Sequence, residues 1–301
     1  MQNNSFEQQV KVLCTLYFDY SLSLVSTMHT GGNAKYYALV HSISNLQKIL
    51  ILCKHFGVKY MVVGNASNIL FLDKGFDGII ICTKGLNKIY KRGNKIFAQA
   101  GAMIGNVALF AQNNGLSGLE WSVGIPATIG GAVVMNAGAF GGDINGVLDY
   151  VVVLDVFDNR FKKIKKIEYL AQHHKSIFTN NFRYVIISIS LNLVLSTKQK
   201  IMSKTKDILY KRHQQQNVKY PSLGSVFCRG TSKHSPAFMI EKCSLKGFMI
   251  GGAMVSKVHS GYIVNTGNAT SQDVLYLINF IKQKIKDCFG VVLDTEIILG
   301  E

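Results

Sequence analysis

The chain has 301 residues, more than a single hydrophobic core comfortably organises, and its 48% hydrophobic and 17% charged composition with only 3 Pro excludes an intrinsically disordered protein. Its net charge of +16 admits nucleic acid, an acidic membrane surface or phosphorylated ligands as partners, but no zinc-finger spacing or RRM-type aromatic motif accompanies it. The longest uncharged apolar stretch, Tyr184 to Leu195, is about 12 residues, short of the ~20 that a spanning helix needs, so no membrane span is expected.

The start, Met1-Gln2-Asn3-Asn4, has no basic leader and no small-residue cleavage site, which points to a cytoplasmic protein. Six cysteines, Cys14, Cys53, Cys82, Cys228, Cys243 and Cys288, form no C-x-x-C pair, so neither a zinc site nor a disulfide framework is expected. From Ser44 as N-cap, Leu46, Ile49, Leu50, Cys53 and Phe56 recur at helical spacing and stop at Gly57. Lys59 to Val63 and Gly78 to Cys82 read as strands, the first feeding a turn at Gly64-Asn65. Further strands are expected at Ile96–Ala100, Tyr150–Phe157 and Tyr184–Leu195, with a helix near Ile104–Asn114. Lysines 162, 163, 165 and 166 sit in a polar connection and read as a solvated face.

Lys198 to Gln216 is a polar helix that carries the chain into a new unit. Thr270-Ser271-Gln272-Asp273 is a capping box ahead of Val274, Leu277, Ile278, Ile281, Ile285 and Cys288, with Gly290 as the stop and a last strand from Val291 to Leu299. The pattern is α+β. It divides into residues 1–199, with subdomains of about 1–85 and 86–199, and residues 200–301.

Between Gly124 and Gly142 the run GIPATIGGAVVMNAGAFGG places glycine at 124, 130, 131, 138, 141 and 142. Glycine lets backbone approach a ligand and turns successive N–H groups toward an anion, which suits a pyrophosphate; tight turns between strands are the other reading. There is no G-x-x-x-x-G-K-[ST] and no G-x-G-x-x-G after a strand, so neither a P-loop nor a Rossmann fingerprint applies.

VVGNASNILFLDKGFDGIII (Val62–Ile81) and GLSGLEWSVGIPATIGGAVVMNAGAFGGDI (Gly115–Ile144) resemble the two FAD-binding segments of the UDP-N-acetylenolpyruvoylglucosamine reductase (MurB) family. PSLGSVFCRG (Pro221–Gly230), SLKGFMIGGAMVSKVHSGYIVNTGNATSQDV (Ser244–Val274) and GVVLDTEIILGE (Gly290–Glu301) resemble that family's substrate domain in the same order. The resemblance covers nearly the whole chain. It implies a vanillyl-alcohol-oxidase/PCMH-type FAD-binding domain followed by a smaller α+β substrate-binding domain. It implies FAD held by Gly64, Asn65, Ser67 and Asn68 on one loop and by Gly124, Ile125, Gly130, Gly131, Asn136 and Gly138 on the other. Ser67 and Asn68 are short enough to donate to phosphate or ribose oxygens, or else form an Asx or Ser turn.

The activity implied is hydride transfer from NADPH to FAD and then to the enolpyruvyl group of UDP-N-acetylglucosamine enolpyruvate, giving UDP-N-acetylmuramate for peptidoglycan synthesis. Hydride arriving at one alkene carbon leaves enolate character that needs stabilisation and then a proton. By the resemblance the proton donor falls on Ser225 and the acidic residue of the last strand on Glu296. Glu296 alternates away from Leu293, Thr295 and Ile297, so it can face a cleft where burial would raise its pKa. Arg212, Lys257 and His259 are the substrate-binding candidates, the last two alternatively loop caps.

The chain departs from the family at three places. Y-R-x-S-x-F becomes His173-His174-Lys175-Ser176-Ile177-Phe178, so His174 stands where the family arginine serves the substrate carboxylate, with Lys175 beside it. A protonated histidine replaces one cationic contact but not a bidentate fork. Phe227-Cys228-Arg229-Gly230 replaces F-K-N-P, and Asn217 takes the place of a proline after Arg212. These changes leave open a degenerate member with weakened turnover. Another FAD oxidoreductase of the same fold is the further alternative, against which Ser225 and Glu296 argue. Neither a metal nor a nucleic-acid partner is expected, and the oligomeric state is not legible.

Overall fold

The computed structural model describes residues 5–169, 176–179, 181–216, 218–228 and 232–301. Helix α1 (Phe6–Lys11) starts at a capping box made by Ser5 and Gln8, and strands β1 (Thr15–Ser21) and β2 (Asn33–Leu39) follow. Helix α2 (Ile43–Phe56) is capped two residues before the expected position: Ser42 is extended and its Oγ accepts the N–H of Asn45, which leaves Ser44 inside the first turn. Gly57 ends α2 in the left-handed conformation. Strands β3 (Tyr60–Val63), β4 (Ile69–Phe71) and β5 (Phe76–Cys82) come next, and β3 runs parallel to β5 in a sheet of order β1-β2-β5-β3. On α2, Leu46, Ile49, Leu50 and Cys53 pack with Ile79, Ile81 and Leu86. Each large aliphatic chain buried there contributes roughly 1.5–3 kcal/mol.

The next stretch holds β6 (Ile89–Arg92), β7 (Lys95–Gln99), α3 (Ile104–Asn113), β8 (Leu116–Ser117), α4 (Ile129–Val134), β9 (Gly138–Ala139), β10 (Gly142–Asp143) and α5 (Ile144–Val147). It continues through β11 (Leu148–Asp155), β12 (Arg160–Lys165), β13 (Tyr184–Asn192), β14 (Val194–Leu195) and α6 (Lys198–Gln216). An antiparallel sheet of order β12-β11-β13-β7-β6 turns Val151, Val153, Ile189, Leu191, Ile96 and Ala98 into a core completed by α3 and α4. The expected strand over Tyr184–Leu195 is interrupted, because Val194 and Leu195 pair with β8 rather than with the large sheet. Asp155 is fully buried at the end of β11, where Lys162 Nζ and Arg183 Nε donate to its carboxylate at 2.6 and 2.7 Å. Burial alone would raise its pKa, but these hydrogen bonds and the Arg183 charge bring it down to about 2.

The last stretch contains β15 (Ser222–Ser225), α7 (Pro236–Lys242), β16 (Met249–Ile250), β17 (Ala253–Val255), β18 (Tyr262–Asn265), α8 (Ser271–Phe289) and β19 (Ile298–Gly300). The sheet order is β15-β18-β17-β16, and Met239, Ile240, Leu277, Ile281 and Ile285 from α7 and α8 share one core with it. Thr270 and Asp273 form the expected capping box of α8, and Gly290 closes the helix with φ 65°. Asp73 adds its carboxylate to the first turn, accepting the N–H of Ser271 and of Gln272. Cys288 falls outside the buried stripe and is exposed. The expected strand from Val291 to Leu299 shrinks to β19, which pairs parallel with β4; before it the chain makes one isolated bridge, Thr295 to Phe227.

The sequence suggests a single cut near residue 200, whereas the compact units are discontinuous. One is Met1–Phe18, Tyr36–Asn65 and Gly78–Lys211; the other is Asp19–Lys35, Ala66–Asp77 and Arg212–Glu301. Among the described residues no helix is long and apolar enough to cross a membrane.

Candidate active site

In the first unit the two glycine-bearing motifs meet. A Cβ on Gly64 would lie 2.1 Å from Thr128 Oγ1, and Asn65 Nδ2 donates to the Pro126 carbonyl at 2.8 Å. Thr128 is buried and caps α4, its Oγ1 accepting the N–H of Gly131. Gly130 donates its N–H to the Ala100 carbonyl at 2.8 Å, and a side chain there would strike Ala100 at 2.9 Å. The glycines at 130 and 131 thus serve close packing and a helix cap, and their N–H groups are committed inside the protein rather than offered to an anion.

What the two loops present outward is different. Gly124 is exposed, and Gly64, Asn65, Ile125, Gly131 and Gly138 are partly so. Asn136 is buried with φ 40°, and its Oδ1 accepts the N–H of Asn145. Lys84 Nζ lies 3.5 Å from Asn65 Oδ1 and brings a cation to this place. Nothing in the sequence marks Lys84, a lone lysine after a strand. A strip of bare backbone and short side chains beside one ammonium fits a flat, dianionic dinucleotide such as FAD, which these residues would hold.

Ser67 and Asn68 belong to the second unit. Asn68 Nδ2 donates to the Glu296 carbonyl at 2.8 Å, and its own carbonyl accepts the N–H of Ile298. Asn68 therefore fixes the backbone that carries Glu296. Ser225 closes β15 directly after Gly224, whose φ of 73° breaks the register between Ser222 and Ser225. That left-handed turn is open to glycine with little strain. Val226 then donates to the Gly261 carbonyl, and its own carbonyl accepts the N–H of Glu296 at 2.9 Å, so Ser225 and Glu296 are held on adjoining segments.

The Glu296 residue is partly exposed as a whole, but its Oε2 is out of solvent contact, and burial pushes the carboxyl up to about 8. Tyr262 stands opposite Ser225 in the β15–β18 register. Burial raises its phenol; the Arg212 charge lowers it and the Glu296 carboxyl raises it, so the three groups are within electrostatic reach. Arg212 Nη1 donates to Gln216 at 2.7 Å, and burial lowers the guanidinium pKa. Tyr262 is a residue that no local pattern singles out.

His259 caps its own loop. Its N–H donates to Ser256 Oγ, its Nδ1 accepts the N–H of Gly261, and its ring packs on Tyr262 at 4.6 Å. Burial lowers its pKa, and the neutral ring then keeps its proton on Nε2. Lys257 is exposed, its stem lying across Gly247, and no hydrogen bond or ion pair joins it to Arg212 or His259 among the described residues. His174 and Lys175 lie outside the described residues, as do Asn217, Arg229 and Gly230. The flanks of the His174 segment are described: Tyr169 Oη donates to the Val133 carbonyl and Ser176 Oγ to that of Val134, so both are tied to the end of α4.

A family model for an FAD binding domain matches residues 34–160, and one for the C-terminal domain of UDP-N-acetylenolpyruvoylglucosamine reductase matches residues 216–299. The UDP-N-acetylenolpyruvoylglucosamine reductase of Listeria welshimeri is 38% identical over 93% of this chain and 94% of its own. That of Clostridium novyi is 35% identical over 92% and 89%. Among solved structures, the crystal structure of MurB from Thermus caldophilus aligns with a TM-score of 0.78 at 28% identity, covering 96% of this chain and 99% of that one. The chain belongs to the UDP-N-acetylenolpyruvoylglucosamine reductase family.

Proposed function

We propose that the protein reduces UDP-N-acetylglucosamine enolpyruvate to UDP-N-acetylmuramate with NADPH as reductant, in the cytoplasm, for peptidoglycan precursor synthesis. FAD, where bound, would supply the two-electron redox chemistry that links the nicotinamide to the enolpyruvyl alkene. Gly64, Asn65 and the loop from Gly124 to Gly138 hold the cofactor, with Ser67 nearby in sequence and Lys84 as a counter-charge. Asn68 acts on the site through Glu296.

The observation that carries this reading is the Glu296 carboxyl, withdrawn from water with a pKa near 8 on a segment hydrogen-bonded beside Ser225. At neutral pH such a carboxyl is largely protonated and donates a hydrogen bond to the substrate carboxylate as enolate character develops there. Ser225 then gives its hydroxyl proton to the carbon that did not receive hydride, and is reprotonated from solvent or a neighbour. Arg212, Lys257 and His259 contact the substrate, and His174 or Lys175 provides the cation for its carboxylate.

Anaerobic stopped-flow absorbance of the flavin-loaded protein tests the whole cycle. NADPH should bleach the flavin, and UDP-N-acetylglucosamine enolpyruvate should restore its colour within one turnover. A flavin that bleaches and stays reduced would mean a different acceptor, or a member that has lost its second half-reaction.

A further inference from the structure

Tyr262 lies in the second unit beside Ser225, and the proposed steps leave it without a role. Ser225 and Tyr262 are partners in the antiparallel β15–β18 register. The hydrogen bond next to them runs from the Val226 N–H to the Gly261 carbonyl at 3.0 Å. Ser225 and Tyr262 therefore form the narrow, non-hydrogen-bonded kind of pair, in which Cα atoms stand about 4.5 Å apart and side chains lie closest. Val226 and Ile263, the next residue on each strand, are buried in the core shared with α7 and α8. Pleat alternation turns the Ser225 and Tyr262 side chains together to the opposite face.

On the reductase reading proposed above, we infer that Tyr262 is a further substrate-contact residue of this site: its ring holds the Ser225 side chain in place, and its hydroxyl donates a hydrogen bond to the carboxylate of the enolpyruvyl group.

The backbone of Tyr262 is pinned on both sides, its N–H donating to the His259 carbonyl and its carbonyl accepting the N–H of Ser256. The His259 and Tyr262 ring centroids are 4.6 Å apart, and His259 is itself held by Ser256 Oγ. A ring fixed in this way is a wall beside the Ser225 hydroxyl and limits its rotamers. Tyr262 is partly buried, yet among the described residues its own hydroxyl has no hydrogen-bond partner and stays in contact with solvent. Such a hydroxyl, open on an otherwise fixed ring, is offered to a ligand. Burial keeps the phenol protonated while the Arg212 guanidinium acts on it, so an anionic oxygen is the acceptor that suits both groups. The carboxylate is the anionic group attached to the carbons that Ser225 must reach, which selects it over the pyrophosphate further along the substrate.

The test is calorimetric titration of the oxidised, FAD-loaded protein with UDP-N-acetylglucosamine enolpyruvate and with UDP-N-acetylglucosamine, which has no carboxylate. Tyr262→Phe keeps the ring; it should bind the first ligand roughly 10-fold or more weaker than wild type, as expected on losing a hydrogen bond to a charged group, and the second with wild-type affinity. Tyr262→Leu removes the wall as well. It should further slow flavin recolouring at saturating substrate by about 10-fold or more relative to Tyr262→Phe, with melting midpoints checking that both variants are folded. A Tyr262→Phe protein that binds both ligands as wild type does overturns the hydroxyl contact. Equal weakening toward both moves the hydroxyl to the nucleotide and overturns the carboxylate assignment. Recolouring by Tyr262→Leu at the rate of Tyr262→Phe overturns the role of the ring. Wild type that binds neither ligand sinks the reductase reading itself and this contact with it, whereas the other failures occur in variants of a working wild type and leave that reading standing.

Discussion

With its carboxyl out of solvent and its pKa near 8, Glu296 keeps its proton through most of the neutral range, and this has consequences for both turnover and stability. Glu296→Gln keeps the shape but loses the acid. The recolouring half-reaction should slow by about 100-fold or more, while bleaching by NADPH is unchanged, as read in the two stopped-flow phases. Stability moves the other way. Below the ordinary glutamate value of 4.5 the carboxyl is protonated whether folded or unfolded; between 4.5 and about 8 the unfolded chain releases a proton that the folded chain retains. Wild type therefore loses stability as pH rises through this window, and Glu296→Gln does not. Because the residue is partly exposed, the divergence should be about 3 kcal/mol, less than the full shift would give. Parallel denaturation curves at pH 5 and pH 9 check it; curves with the same pH dependence would mean that the carboxyl is solvated.

Under the proposed function, His174 is the second residue whose protonation is to be tested. If it supplies the cation for the substrate carboxylate, the recolouring rate of wild type should fall as pH rises through the histidine range near ~6.5, and His174→Arg should remove that fall. A profile that the substitution leaves unchanged assigns the charge to another group, with Lys175 the first to examine.

Helix α8 shows how an element's ends can matter as much as its stripe. Thr270 and Asp273 cap it from within, and Asp73 holds two more of its N-terminal N–H groups at 3.0 and 3.3 Å. Asp73→Ala should cost about 1 kcal/mol, seen as a lower urea midpoint with unchanged slope, while Asp73→Asn should recover part of it by still accepting from the helix. An unaltered midpoint would show that water replaces the carboxylate without loss.

Most of the same helix is legible in the sequence, because its capping box, apolar stripe and stop are local signals, whereas the exposure of Cys288 and the cap from Asp73 are set by tertiary packing. Helix α4 was hidden. Ile129 to Val134 is rich in glycine and β-branched residues with weak helical propensity, and the helix is set by the Thr128 cap and by bonds from Ile129 and Gly130 to the Ala102 and Ala100 carbonyls. Strand β1, mostly exposed, lacks the alternation that would have announced it. The last strand was overread because Val291 to Ile297 is apolar enough to resemble one, yet β4 pairs only with Ile298–Gly300. At the candidate site, Ser225 and Glu296 came from long motifs, while Tyr262 and Lys84 owe their positions to register and tertiary folding that no spacing encodes.

At the scale of the whole molecule, the net charge of +16 acquires a physical use under the proposed function. FAD, NADPH and a UDP-sugar are all polyanions, and a strongly positive protein draws them in over distances set by the Debye length. That length shrinks from about 10 Å at 0.1 M salt to about 3 Å at 1 M. If the surplus charge accelerates encounter, kcat/KM for both NADPH and the UDP-sugar should fall several-fold between those salt concentrations. The value of kcat should change little, since bound ligands no longer need steering. Potassium chloride titrations of the steady-state parameters decide this. If kcat/KM holds constant across the range, the lysines form an ordinary solvated surface and recognition rests on close contacts such as Arg212 and Lys84.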